Sequence, residues 1–349
     1  MIAIVIAGQG LVHDVPYTGS RRVDVVGAIL SVLGMGGIVL GILVWQEGGE
    51  FVGLILATGA IALAAFGYWL VGRKRRGKPT LLDPVLFSSA AFRLGVSEQT
   101  LQQIALGGAM IALPIYLQMV LEYNAMQAGL SLAPLSLSMF GMAILAEKKA
   151  GGRRPSSIIR WGFALLSTGL VVLIPIVPRA GSGWALVGPL VLAGLGLGLL
   201  VSQLNNYTLA PISQQRVSEA AGVNSAAGSF GLSFGLAFAG AIMLATLSFT
   251  FANLAESSTV LRPAEQQQVA QALERDAEVM SNTELEKVLA KQPQEIRDEI
   301  IRINTTARPI ALQVALGIPI LAGLAGLVNS FRMARLKDPP SPGDVDQTA

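Results

Sequence analysis

The stretch Ser202-Gln203-Leu204-Asn205-Asn206-Tyr207 puts hydrogen-bonding side chains at the end of an otherwise apolar, uncharged run. An amide without a partner in hydrocarbon is costly, so these groups must face protein, water or lipid headgroups. On a helix Gln203 and Tyr207 share one face at i, i+4, and Ser202 and Asn206 share the next. The chemistry is non-covalent: either the wall of a cytoplasm-facing vestibule or the hydration of a helix end. Tyr116, Gln118, Phe230 and Phe234 also suit a mainly apolar pocket with a few polar groups, of the kind that takes hydrophobic or cationic small molecules. Helix packing accounts for them equally well.

Reactive groups are scarce. The chain has no cysteine and a single histidine, His13. That excludes a disulfide framework, a thiol nucleophile, a Cys-based zinc site and a histidine metal cluster. The residues therefore point away from an enzyme, and no cofactor is implied. Proton coupling needs an ionisable residue inside the membrane. Asp24 and Glu98 read as carboxylates at helix starts, and Glu122 and Glu147 fall at helix ends. With none at mid-depth, the expectation is that this chain does not couple to protons by itself.

The elements that position these residues follow from composition. Of 349 residues, 52% are hydrophobic, 13% are charged and 39 are glycine, too apolar for an ordinary soluble domain. A membrane-crossing helix needs about 20 apolar residues. Windows free of charge, allowing Glu122 near one end, fall at about 25–44, 51–71, 99–121, 126–146, 161–178, 184–207, 222–250 and 309–330. The expected fold is an all-α polytopic membrane protein with eight transmembrane helices. The Gly-rich run 194–200 lies inside one of these windows with no strand before it, so it reads as helix packing and not as a nucleotide loop.

Orientation follows from the basic residues, which collect in short cytoplasmic loops. Arg21 and Arg22 precede the first span, Arg73-Lys74-Arg75-Arg76 follow the second, and Lys148, Lys149, Arg153 and Arg154 follow the fourth. Arg216 follows the sixth span, and Arg332, Arg335 and Lys337 follow the eighth. Among the short alternate loops the basic residue is Arg179. Both termini are thus expected in the cytoplasm, with the chain in a bacterial-type inner membrane. The basic run at 73–78 reads as a topology signal, and no nucleic-acid partner is expected. Within 251–308, Val269, Leu273 and Ala277, and likewise Ile296 and Ile300, recur at helical steps, while Asn282, Thr283 and Glu286 mark a helix start. Short amphipathic helices are expected there, as a lid or as a solvated connector.

Four stretches, taken in order, carry a family resemblance: 21–42 with Asp24 and Gly27, 81–93, 113–139 and 193–243. The chain resembles the major facilitator superfamily, in particular the C-terminal portion of its fourteen-helix drug:proton antiporter branch, the EmrB/QacA type. The resemblance implies alternating access for a hydrophobic or cationic small-molecule substrate in a lipid bilayer. It also implies a partner: the family's N-terminal six-helix half, or another chain supplying it. Where the family carries an acidic and basic loop motif, this chain has Glu147, Arg153 and Arg154, with Lys at the acid position. The alternative is a non-transporting scaffold or split half.

On this reading 1–22 is a truncated remnant and cytoplasmic lead-in, and 23–72 a central helix pair. A cytoplasmic linker with an interfacial segment occupies 73–98, and the first five helices of a six-helix bundle occupy 99–250. An extracytoplasmic loop spans 251–308, the last transmembrane helix 309–336, and a disordered tail 337–349.

Overall fold

The computed structural model describes residues 24–46, 49–78, 80–149, 153–276 and 282–336. The lead-in, the tail, His13 and Ala277 lie outside them. Eight helices among the described residues are long and apolar enough to cross a membrane, and there is no strand. The protein is an all-α polytopic membrane protein.

Helices α1 (Val25–Gln46) and α2 (Val52–Arg75) form a hairpin. Glycines let them touch: a Cβ on Gly37 would stand 3.0 Å from the Gly59 Cα. In lipid, where burial of apolar surface gives helices no driving force to associate, such close backbone contact supplies the attraction. A short turn, Pro84–Ser88, leads to α3 (Ala90–Met119), followed by α4 (Ala125–Lys149), α5 (Pro155–Ile176), α6 (Val187–Leu209) and α7 (Val217–Glu256). Two short helices follow, α8 (Pro263–Asp276) and α9 (Asn282–Val288), then α10 (Gln294–Ala315) and α11 (Gly317–Met333).

The bundle is built from two groups. Helix α6 lies between α4 and α5, while α3 packs on α7 and α11. Contacts between α3 and α6 and between α5 and α11 join them. The Gly-rich run explains the first group. Gly198 faces α4, where a Cβ would meet the Met142 Cβ at 2.8 Å, and Gly196 faces α5, where a Cβ would meet the Leu166 Cα at 3.0 Å. The hairpin α1–α2 sits on α7 through a cluster of Ile42, Ala237 and Ala241, against which Ile38, Val39, Leu56, Phe234 and Phe238 pack.

The last span starts at Gln294, well before the apolar window that begins at 309, and runs through α10 and α11 to Met333. Its polar residues find specific partners. Pro178 has no N–H to offer the Ile174 carbonyl, and Gln313 Nε2 donates to that oxygen at 2.7 Å. With alternating spans, the basic clusters after α2, α4, α6 and α11 share one end of the bundle, here the basic end. Helices α8 and α9 lie at the other, the cap end. Their Leu273 and Leu285 continue the main core with Ile300 and Ile303 of α10.

Candidate functional site

At the basic end two aspartates organise the loops. Asp24 precedes α1 and is 2% exposed. Its Oδ1 accepts from Gly27 N at 3.0 Å and from Trp69 Nε1 at 3.1 Å, and its Oδ2 accepts from Leu81 N at 3.2 Å. Arg73 Nε lies 3.7 Å away. Burial opposes the charge, but these hydrogen bonds and Arg73 hold the carboxyl below its ordinary value. Asp24 thus caps α1, as its position in the sequence suggests, and also ties α1 to α2 and to the following loop.

Asp83 does the same between the hairpin and the bundle. It accepts from Lys74 Nζ at 2.6 Å and pairs with Arg216 in the α6–α7 loop. Its own N–H donates to Glu219 Oε1 at 2.5 Å. Burial raises its carboxyl, but Lys74, the Val85 amide and Arg216 outweigh that and leave it below the usual range. By contrast Glu147, Arg153 and Arg154 are exposed and form no ion pair among the described residues.

The structure separates the residues of the 202–207 stretch. Gln203 and Tyr207 turn into the bundle, 6% and 1% exposed, while Asn205 and Asn206 are exposed. Asn205 Oδ1 accepts from Asn224 Nδ2 of α7 at 3.2 Å. Next to them an exposed row runs along α7 through Ser218, Gly222, Ser225, Ser229 and Ser233, spaced to share one face. From Ser218 to Ser233 the row rises about 22 Å, a large part of a hydrocarbon core of about 30 Å. Together α6 and α7 present an uncharged polar strip beginning at the basic end. Elsewhere the spans expose large apolar side chains such as Leu137, Phe140, Phe249 and Val328.

Several candidate pocket residues sit elsewhere. Tyr116 is 3% exposed, and its hydroxyl donates to the Val177 carbonyl at 2.7 Å, which pins α3 to the turn after α5. Gln118 folds back on its own helix, with Nε2 donating to the Pro114 carbonyl at 3.3 Å. Phe230, Phe234 and Phe238 form a ladder with ring centroids 5.9 and 5.4 Å apart. Phe234 meets the hairpin in that ladder, so its ring is a packing surface for α1 and α2.

The largest correction concerns Glu98. Helix α3 begins at Ala90, so Glu98 lies in its third turn and does not cap its start. It is fully buried, and neither carboxylate oxygen has a hydrogen-bond partner among the described residues. Its helical face continues through Gly95, Gln102, Ala105 and Ala109, all buried. Gly95 abuts Thr208 of α6, and Ser97 accepts from Asn329 Nδ2 of α11 at 2.8 Å. The chain therefore holds a carboxyl group inside the helix bundle, contrary to the expectation from sequence. A second charged residue missed in the same way is Arg308 of α10, which is 7% exposed.

No family model matches the chain. It is similar to the probable actinorhodin transporter of Streptomyces coelicolor, 25% identical over 251 residues covering 70% of this chain and 43% of that protein. It is also similar to the multidrug resistance protein Stp of Mycobacterium tuberculosis, 28% identical over 234 residues covering 66% of this chain and 42% of Stp. Its relatives are bacterial transport proteins. One of them, the uncharacterized MFS-type transporter YhcA of Bacillus subtilis, is 34% identical over 145 residues covering 40% of this chain and 26% of YhcA. The chain spans less than half the length of the first two relatives. These relatives are named as transporters or resistance proteins rather than enzymes.

Proposed function

We propose that this chain forms the C-terminal portion of a small-molecule efflux transporter of the major facilitator type, in its fourteen-helix drug:proton antiporter branch. The basic end faces the cytoplasm of a bacterial inner membrane. The observation that carries the reading is the polar strip of α6 and α7. Asn205 and Asn206 cannot lie against lipid tails without cost, and a facing set of helices with a wet cavity between would satisfy them. The first two relatives, in which the matched region is 43% and 42% of the length, have room for such a set, which a linked N-terminal half or a partner chain would supply. Rocking of the two halves about the strip then gives alternating access to hydrophobic or cationic substrates.

Glu98 supplies this half with a proton-carrying group. Its burial without a hydrogen-bond partner among the described residues, inside a bundle that transport must open to water, supports that role. Among the described residues Glu98 forms no ion pair. Tyr207 is the titratable residue of α6, Glu219 of α7 is bound to the Asp83 amide, and Arg332 of α11 is exposed. Arg93 on its own helix donates to the Phe87 carbonyl.

The test uses the absence of cysteine. Single cysteines at Ser225, Ser229 and Ser233 are labelled with a membrane-impermeant maleimide in cells producing the chain with an N-terminal half, while ethidium efflux is followed. The expected result is labelling from the cytoplasmic side, slowed by ethidium, with loss of efflux on modification. Labelling at these sites without any effect on ethidium would leave the scaffold reading in its place.

A further inference from the structure

Helices α5 and α11 meet along a close seam. A Cβ on Gly323 would stand 2.6 Å from Ser167 Oγ, and one on Gly326 would run into the ring of Phe163. About one turn nearer the basic end the seam closes on a different pair. There the Arg160 guanidinium lies over the Phe331 ring, 4.8 Å from its centroid. Phe331 is 50% exposed, so the stack stands at the lipid-facing surface.

Arg160 is a charge without a counter-charge. It forms no ion pair among the described residues, and neither α5 nor α11 contains an acidic residue. The carboxylates of the adjoining helices toward this end are enclosed or engaged: Glu98 of α3 lies inside the bundle, and Glu219 of α7 accepts from Asp83 N. Arg160 Nε is closed in and has no hydrogen-bond partner among the described residues. The residue as a whole is half-buried, which leaves the outer edge of the fork open. Arg332 and Arg335, both exposed, follow Phe331 and add positive charge.

The depth is that of lipid headgroups. Arg160 stands immediately ahead of the uncharged window at 161–178, and Trp161 beside it is 64% exposed, as aromatic residues at a membrane interface are. An interfacial arginine is free to snorkel into water, but stacking on a ring holds this one at the seam. A guanidinium fork fits a phosphate through two parallel hydrogen bonds. Deeper in the membrane Val328, Leu324 and Leu321 form an exposed apolar track on α11, with Val171 and Val172 exposed on α5. We propose that this seam seats a phospholipid with a net negative headgroup. Its phosphate reaches the Arg160 guanidinium, and its acyl chains follow the α11 track. A zwitterionic headgroup brings its own ammonium to the three arginines and is disfavoured. The site uses no residue of the strip proposed for transport and does not depend on that reading.

The test measures lipid retention by the purified full chain in detergent, using native mass spectrometry with phosphatidylglycerol as the probe and phosphatidylcholine of the same acyl chains as the control. Phosphatidylglycerol is expected to bind about tenfold more tightly. Arg160→Ala should bring it to the level of phosphatidylcholine, and Arg160→Lys should weaken it less. Phe331→Leu, an exposed substitution that leaves the core intact, should weaken it several-fold by freeing the guanidinium. Arg75→Ala removes an exposed charge from the same end of the molecule and should leave binding within about twofold. Excess glycerol 3-phosphate should not displace the lipid, because the acyl chains are part of the site. Equal affinity for the two lipids, full binding to Phe331→Leu, displacement by glycerol 3-phosphate, or an equal loss in Arg75→Ala and Arg160→Ala overturns the proposal.

Discussion

Asp24 and Glu98 are both buried carboxylates toward the basic end, in opposite surroundings. Asp24 accepts from two backbone amides and an indole, with an arginine beside it. Glu98 meets no donor among the described residues. The first is a fixed anion whose partners come from three separate segments, so its charge holds structure. The second has no such partner among the described residues, which is what supports the proposed role in carrying a proton. Burial alone does not distinguish the two roles; the donors do.

The comparison is tested most severely by Asp24→Ala, which removes the cap of α1 and leaves Trp69, Leu81 and Arg73 without their acceptor. A loss of about 3 kcal/mol is expected, read as thermal unfolding in detergent. A loss near zero would remove the contrast with Glu98. Next in size, Gln313→Leu strands the Ile174 carbonyl beside Pro178 and should cost about 1–3 kcal/mol by the same measurement.

A smaller effect is expected at the cap end. Hydrogen bonds from the Thr283 hydroxyl and amide hold the Glu122 carboxyl below its ordinary value of 4.5, although burial opposes them. The stabilisation is therefore fully present above about pH 4.5 and fades as pH falls through the lower folded value. Hydrogen exchange at the start of α9 should accelerate only in that acidic window, and Glu122→Gln should cost about 1 kcal/mol at neutral pH. Smallest in stability is Glu98→Gln, expected to stay within about 1 kcal/mol of the parent because the amide keeps the shape of a side chain that makes no hydrogen bond among the described residues. It should nonetheless abolish the response of ethidium efflux to an imposed pH gradient. A response that survives the substitution removes Glu98 from proton transfer.

Hydropathy made the eight spans legible, since apolar length is what a bilayer requires of a helix. The same criterion hid Glu98 and Arg308. A window defined by the absence of charge ends at each charged residue, so a buried charge is taken for a boundary. Helix α3 extends through Glu98 back to Ala90, and the last span extends through Arg308 back to Gln294. The periodicity of Gly95, Gln102, Ala105 and Ala109 around Glu98 was the available signal, because a face of small residues marks an interior side. Tyr116 and Phe234 were left undecided in the sequence for a different reason. Their types suit a drug pocket or a helix contact equally, and the choice depends on a carbonyl at Val177 and a cluster centred on Ile42, both distant in sequence.

The aromatic ladder on α7 has an architectural consequence. Within the spans, α1 and α2 meet α7 at a small cluster edged by the half-buried rings of Phe234 and Phe238, while α3 packs on α6, α7 and α11. A hairpin attached in this way resembles a shingle laid on a finished roof. Lipid acyl chains can wet the same rings, so bilayer thickness and fluidity become variables that set how firmly the shingle stays down.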